Sequence, residues 1–370
     1  MRLTIPTAPL LEAVGQATAV AASKSPKRIL ECVAIRASKA DGVRIEANDL
    51  DVSLRTDLVE ARAEEDGVVA VPAQRLIGVL REVGEGRPEI TLVGVDGRLE
   101  IDTADCHFRI HGEDPAEFHA PEAFPAGGCV SLPFGVLRRM VERTQFATAR
   151  EPGRFALHGV QFRFTAKELE VVATDGRRLA KAVHALEDGP ATELKVIVGT
   201  KALGFLSRLS TDDAAKVDVA VADRRIHFRC GASLLSSRLI DGAFPPYDQV
   251  IPAPSAKGFT TKVADFVTAL RRAALLTTKE LRSVALDVGP DRLTLSSRSP
   301  EVGEAKIELP VPYQEAPERL GFNPDYLLDA LKVMDPTSDV RFEFTSTRAP
   351  GKLTDGAAYV YVVSPVSVTE

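Results

Sequence analysis

The chain has 370 residues, of which 45% are hydrophobic and 26% are charged, and this length suits two or three globular domains. The formal net charge of −6 argues against a simple nucleic-acid binder, although a basic stripe can lie on an acidic protein. Aromatic residues make up 6% and tryptophan is absent, which disfavours stacking on single-stranded bases. No signal segment and no membrane-spanning apolar run occur, so we expect a cytoplasmic protein without membrane contact.

The chain repeats one pattern three times: an amphipathic helix, two strands and a second helix. The first helices are predicted at 10–20, 136–146 and 266–276, and the second at 73–83, 201–209 and 324–334. The strand pairs are predicted at 28–38 with 41–49, 154–164 with 167–175, and 281–289 with 291–299. Repeats of this kind stack side by side and present one continuous surface. With Pro/Gly-rich joints at 113–128 and 241–258, the pattern predicts domains 1–125, 126–255 and 256–370.

The strands alternate between apolar and polar residues. Phe162 and Phe164 share one face of a predicted strand, whereas Gln161 and Arg163 share the other. Alternation of apolar and polar residues with a period of two means that one face of the strand is buried and the other is exposed to solvent, which favours antiparallel sheets. The Asp-Gly pair at 96–97 predicts a two-residue hairpin. The fold class is therefore α+β, with antiparallel sheets and helices on one face.

The helices present basic residues on their outward faces although the whole protein is acidic. In 136–144, helical spacing places Leu137, Met140 and Val141 on the buried stripe and turns Arg139 and Arg143 away from it. Such residues, with basic residues on neighbouring loops, suit contacts to phosphates that do not depend on base sequence. The residues that we expect to make these contacts are Lys24, Lys27, Arg28, Arg75, Arg81, Arg139, Arg143, Arg150 (with Arg154 close by), Lys201, Arg271 and Arg272.

Metal and nucleotide motifs are missing from the sequence. No Gly-rich phosphate loop, dinucleotide fingerprint or nucleophile elbow occurs. His107 and His111 lie near Cys106 and His119, but their spacing matches no standard zinc pattern. The four cysteines form no CxxC pair and are interpreted as free thiols. We expect no metal and no cofactor.

Asp175 is the best catalytic candidate, because it lies between a strand and a turn beside Arg177 and Arg178. A turn aspartate that bonds its own backbone and a neighbouring arginine is the favoured interpretation. We therefore predict a protein that is not an enzyme. A hydrolase or transferase that uses Asp175 is the alternative from another class.

Four segments in order identify a family. They are VVATDGRRLA at 171–180, SSRLIDGAFPPYDQVIP at 236–252, GFNPDYLLDAL at 321–331 and AAYVYVVSPV at 357–366. Together with the triple repeat, they resemble the bacterial DNA sliding clamp family, the beta subunit of DNA polymerase III. The resemblance implies a non-catalytic processivity factor for DNA polymerase. It also implies a head-to-tail homodimer that closes a six-domain ring around duplex DNA, with helices inside and sheets outside.

The resemblance also implies two protein-binding sites. A pocket for short peptides from polymerase and clamp loader falls on Leu157, Thr174, Gly176, Arg177, Arg178, Leu179, Pro245, Val250, Asn323, Tyr326, Ser364, Pro365 and Val366. The dimer contact pairs Phe108 and Ile110 of one protomer with Leu275 and Leu276 of the other.

The C-terminus departs from the family pattern. Ser364 stands where family members usually have methionine, and no arginine follows Pro365 at the usual place. This departure motivates an alternative within the family, a diverged paralogue with a specialised partner.

Overall fold

The protein is described by a computed structural model that covers residues 1–103, 105–151, 153, 155–278 and 282–368. Helices lie at α1 (Thr7–Val20), α2 (Ala73–Gly84), α3 (Phe134–Glu142), α4 (Thr200–Leu206), α5 (Val263–Ala274) and α6 (Pro324–Leu331). Strands β1 to β9 are Arg2–Pro6, Cys32–Ser38, Gly42–Asn48, Val52–Leu58, Arg62–Glu65, Gly67–Pro72, Glu89–Val95, Arg98–Asp102 and His107–His111. Strands β10 to β17 are Val130–Pro133, Gly159–Phe164, Glu168–Thr174, Arg178–Ala185, Leu194–Gly199, Lys216–Ala222, Arg225–Cys230 and Ser233–Arg238. Strands β18 to β25 are Gly258–Lys262, Val284–Gly289, Arg292–Ser299, Gly303–Pro310, Glu318–Phe322, Asp339–Glu343, Gly351–Thr354 and Tyr359–Val363.

The described residues form two compact units, 1–138 with 198–239, and 139–197 with 240–370. The first unit contains a five-stranded sheet, in the order β5-β1-β7-β8-β9, and an eight-stranded sheet, in the order β10-β15-β16-β17-β4-β3-β2-β6. The second contains an eight-stranded sheet, in the order β14-β11-β12-β13-β25-β24-β23-β18, and a four-stranded sheet, in the order β21-β20-β19-β22. The strand pairs within these sheets are antiparallel, which confirms the α+β fold class. The predicted domain boundaries at 125 and 255 stay predictions.

The six predicted helices are present, and their buried faces follow the predicted spacing. Leu137 and Val141 of α3 and Phe266 and Leu270 of α5 are at most 1% exposed. Helix α3 ends four residues earlier than predicted. The Thr144 hydroxyl donates to the carbonyl of Met140 at 2.8 Å, a side-chain bond that competes with the helical pattern and favours its end.

The predicted strand pairs are present, but two of the strands begin later than predicted, because Arg28–Glu31 and Phe155–His158 form short 3-10 helices. The turn at 96–97 has φ of 48° and 71° and joins β7 to β8, as a two-residue hairpin requires. Gln161, expected on a wet face, is only 7% exposed. It lies on β11, an interior strand between β14 and β12, whose second face is also covered.

The predicted domains are joined by strand pairing, in the same way in both units. In the first unit β17, the last strand of the second repeat, pairs with β4 of the first repeat through Ser233 and Thr56. In the second unit β25, the last strand of the third repeat, pairs with β13 of the second repeat through Leu179 and Val362. Each joint therefore connects the last strand of one repeat to the fourth strand of the repeat before it. No helix among the described residues has the length and hydrophobicity needed to cross a membrane.

Candidate partner-binding site

The site is built around the turn between β12 and β13. The Asp175 carboxylate accepts hydrogen bonds from the backbone N–H groups of Arg177 (2.9 Å) and Arg178 (3.0 Å). The Thr174 hydroxyl donates to the carbonyl of Arg178 at 2.6 Å and accepts from the N–H of Gly176 at 3.1 Å. Gly176 has φ of 88°, which glycine adopts at little steric cost. The TDGR sequence thus folds into a rigid turn that stabilises itself.

Arg178 extends from this turn into the protein and is 9% exposed. Its guanidinium donates to Asp175 Oδ2 at 2.9 Å, to Asp329 Oδ2 at 2.8 Å and to the carbonyl of Phe146 at 2.8 Å. It also lies 4.6 Å from the ring centre of Tyr326, within cation–π distance. Burial by itself would lower the pKa of Arg178, but the two carboxylates outweigh burial and raise it. Arg178, expected in the peptide pocket, is buried beside it and holds the turn and α6 in position.

A polar cleft of about 240 Å³ opens beside Arg178. Its lining residues are Thr148, Ala149, Arg150, Glu151, Asp175, Arg177, Arg178, Tyr326 and Asp329. Arg177 is exposed at this cleft, and a bond to the Tyr326 side chain raises the pKa of its guanidinium. The cleft therefore offers accessible cationic and aromatic groups to a ligand.

Next to the turn is an apolar cluster. Val172, Leu179, Tyr247 and Val362 are buried together, and Phe244 packs against them. Leu179 is 3% exposed and Leu157 is 4% exposed, so both belong mainly to the protein core and not to an open groove. This corrects the expectation that Leu179 lines the groove directly.

The accessible apolar surface lies beside that cluster. Pro245 is exposed and Val250 is 52% exposed, both on the segment that carries the buried Tyr247. Val366 is 37% exposed. These three side chains are accessible to a peptide.

The C-terminal segment is fixed by backbone bonds. The N–H of Ser364 donates to the carbonyl of Arg177 at 2.8 Å, and the N–H of Val366 donates to the carbonyl of Gly321 at 2.8 Å. Ser364 therefore lies directly beside the turn, as the resemblance implies. Pro365 lies between these two anchored residues and is partly exposed. Thr369 and Glu370 lie outside the described residues.

Helix α6 delivers Tyr326 to the site. The Asn323 side chain accepts from the N–H of Asp325 at 2.9 Å, so Asn323 serves as the N-terminal cap of α6. The hydroxyl of Tyr361 donates to the carbonyl of Tyr326 at 2.7 Å and fixes this turn of the helix. Sequence analysis did not select Asp329. Its place three residues after Tyr326, on the same helix face, was the signal that could have found it.

The basic residues expected to contact phosphates are exposed in most cases. Those that are exposed are Lys24, Lys27, Arg28, Arg75, Arg81, Arg139, Arg150, Lys201, Arg271 and Arg272. Arg143 is the exception, because it donates to Asp355 at 2.8 Å and lies 5.2 Å from the ring centre of Tyr359. Lys201 pairs with Asp49, and Arg150 lines the polar cleft. Arg154 lies outside the described residues.

The four residues expected at the dimer contact differ in exposure. Leu275, just after the end of α5, is 76% exposed. Ile110 is only 6% exposed, because its own sheet already buries it. Phe108 and Leu276 are partly exposed. A side chain added at Gly303 would lie 3.8 Å from the Cδ1 atom of Leu276, which places Leu276 beside the start of β21. Leu275 and Phe108 therefore have apolar surface left to bury, and Ile110 has little.

No group of three or more His, Cys, Asp or Glu side chains lies close enough to hold a metal within the described part of the chain. Near the histidines singled out above, His107 pairs with Asp102, and the backbone carbonyl of His119 accepts from Asn48 at 2.9 Å.

Three family models cover most of the chain in order. They describe the N-terminal, central and C-terminal domains of the DNA polymerase III beta subunit, and match residues 1–121, 131–246 and 248–365. The chain belongs to the DNA polymerase III beta subunit family.

Relatives in this family resemble the chain over its full length. A beta sliding clamp from Caulobacter vibrioides is 32% identical over 373 residues, covering 99% of this chain and 96% of the relative. The crystal structure of a DNA polymerase sliding clamp from Bacillus subtilis has a TM-score of 0.93 at 25% identity and covers both chains completely. A C. crescentus sliding clamp, solved with polyethylene glycol bound at a β-motif tethering region, has a TM-score of 0.88 at 31% identity and covers 100% of both chains. The family identification made from the four segments is confirmed.

Proposed function

We propose that the protein is a sliding clamp, a processivity factor that encircles duplex DNA and tethers DNA polymerase to it. The observation that carries this proposal is the match of all three family domains, in order and along nearly the whole chain. Its partners are duplex DNA, without sequence preference, and short peptides from polymerase and clamp loader. Because its proposed partner is DNA, we also propose a cytoplasmic location.

The repeated strand joint supports a head-to-tail homodimer. Both joints connect the last strand of one repeat to the fourth strand of the repeat before it. Two strands in these positions have no such partner within the chain: β9, the last strand of the first repeat, and β21, the fourth strand of the third repeat. Both are edge strands of their sheets. A second copy would pair its β9 with β21, and head-to-tail contacts close into a ring when the rotation allows.

The side chains on the two edges suit this pairing. The outward positions of β9 carry His107, Arg109 and His111, and those of β21 carry Glu304, Lys306 and Glu308, of which Lys306 pairs with Glu308 at 3.2 Å. Opposite charges across strands are favourable, and pairing satisfies the unpaired backbone groups of both edges. The apolar Leu275 and Phe108 would lie at the margins of the joint.

The peptide site is the surface around the β12–β13 turn. The cleft beside Arg178 offers Arg177 and Tyr326, and the neighbouring surface offers Pro245 and Val250. An apolar surface with a few polar groups suits a short linear peptide. Ser364 lies at the boundary between the two surfaces, where its side chain sets how far a peptide can be enclosed.

The protein acts without catalysis. Both carboxylate oxygens of Asp175 accept bonds from its own turn, Oδ1 from two backbone N–H groups and Oδ2 from Arg178. This arrangement suits a structural aspartate and argues against the hydrolase or transferase alternative.

Primer extension tests the proposed function. On circular, singly primed DNA we expect the polymerase of the same cell, with its clamp loader, to make products many times longer when this protein is present. Linear template with open ends is the control, because a ring slides off it and the gain should be lost. Equal stimulation on linear and circular templates, or none on either, would contradict a sliding clamp.

Salt dependence tests the phosphate contacts. Arg271 and Arg272 are exposed on α5, so replacing both with alanine should remove about two phosphate contacts per protomer. The slope of log K against log salt concentration should then become shallower by about 1.8 per protomer. Arg143→Ala is the matched control, since Arg143 is engaged by Asp355 and its loss should leave the slope unchanged. A slope that stays the same in the double variant, measured by fluorescence anisotropy on duplex DNA, would remove α5 from the DNA-binding surface.

A further inference from the structure

A groove runs along helix α1 in the unit formed by 1–138 and 198–239. Its wider part encloses about 350 Å³ between α1, the β4–β5 turn, the segment after α4 and the β16–β17 turn. A narrower part of about 170 Å³ shares Gln16 and Leu209 with it and continues to Val20. From Pro9 to Val20 the helix rises by about 16 Å, enough for about five residues of an extended peptide.

The polar groups at the floor of the groove are hydrogen-bonded to each other, and an apolar side chain is exposed on its rim. At the floor, the hydroxyl groups of Thr56 and Ser233 bond each other at 3.1 Å. Burial raises the pKa of the Cys230 thiol, so this part of the lining stays neutral. On the rim, Val59 is 88% exposed at the turn after β4. Leu209, 6% exposed, provides a buried apolar wall.

The charges that line the wider part have one sign. Glu12, Asp57 and Glu60 contribute carboxylates there, and no lysine or arginine among the described residues lines it. Asp57 pairs with Arg55 at 3.0 Å, whereas Glu60 has no ion-pair partner within the described ranges. The narrower part has apolar walls and carries Arg208. The acidic end repels phosphate, so nucleic acid is a poor occupant.

We propose that this groove is a second docking site, which binds an extended peptide with an aliphatic or proline core and lysine or arginine at one end. The core covers Val59, and the basic end lies against Glu12 and Glu60. The site is separate from the cleft at Arg178, which carries arginines of its own. One chain could therefore hold two partners of different chemistry.

The proposal is tested by measuring the affinity of the 370-residue protein for fluorescein-labelled peptides. The peptides share the core Leu-Pro-Leu-Val and carry zero, one or three lysines at one end. Each accessible ion pair contributes about 1.4- to fivefold in affinity, so three lysines should tighten binding by about three- to 150-fold at low salt. Glu12→Lys with Glu60→Lys should abolish or reverse the preference. Glu82→Lys with Glu117→Lys changes the net charge equally outside the groove and should retain it.

A second variant checks the apolar part. Val59→Asp should weaken every peptide in the series, including the one without lysine, while Val250→Asp at the other site should have no effect. The proposal is overturned if none of the peptides binds, if lysines do not tighten binding, or if the groove variants behave as the wild type. Because the assay contains neither DNA nor polymerase, its outcome is independent of the clamp function.

Discussion

Replacing Leu275 and Leu276 with alanine is expected to convert the protein from a dimer into a monomer. Leu275 is 76% exposed within its own chain, and Leu276 lies beside the start of the open edge strand β21. Removing the outer carbons of both side chains takes away roughly 3 kcal/mol of apolar burial at each of the two contacts in the ring, or about ten-thousandfold in the dimer dissociation constant. Sedimentation velocity over a range of protein concentrations measures this shift.

Phe155→Ala is the matched control for this prediction. Phe155 is 73% exposed, but it lies on neither of the two edge strands, so its loss should leave the dimer intact. Phe108→Ala should weaken the dimer. Ile110→Ala should mainly lower the stability of its own sheet, because Ile110 is already buried there, with only 6% of its surface exposed. A double variant at Leu275 and Leu276 that sediments as the wild type does would show that the interface lies elsewhere.

Replacing Ser364 with methionine is expected to improve the binding of a generic clamp-binding peptide by about ten- to a hundredfold. The backbone N–H of Ser364 is fixed to the carbonyl of Arg177, so the new side chain would project from a defined position next to the cleft. A flexible thioether can cover an apolar peptide side chain, a contact worth on the order of 1–3 kcal/mol. Calorimetric titration of wild type and Ser364→Met, with a peptide from the polymerase of the Caulobacter relative, measures the difference.

The cell's own polymerase provides the comparison for this second prediction. Its peptide should bind the wild-type protein better than the generic peptide does, and should gain less from Ser364→Met. Ser367→Met is the control position, because it lies three residues further along the exposed tail. Equal, tight binding of the generic peptide to wild type and Ser364→Met would show that Ser364 has no effect on the pocket.

The sequence was sufficient for features set by local periodicity. The helical spacing of Leu137 and Val141 predicted the buried face of α3. The Asp-Gly pair at 96–97 predicted a two-residue hairpin, and both residues have the positive φ angles that such a turn requires. The turn at Asp175 could also be predicted, since an aspartate before glycine bonds the next backbone N–H groups. These features depend on residues a few positions apart, so one stretch of sequence contains all the information needed.

Only the tertiary structure decided which polar side chains are already engaged. Arg143 pairs with Asp355, 212 positions away, and Arg178 is buried between Asp175 and Asp329, so neither offers its charge as the sequence suggested. The joints that pair β17 with β4 and β25 with β13 are equally remote in sequence. Helical and strand periods determine which face of an element is apolar, but not which distant element packs against that face. Those contacts depend on the packing of the whole unit, and they determine which groups remain accessible to DNA and to partner peptides.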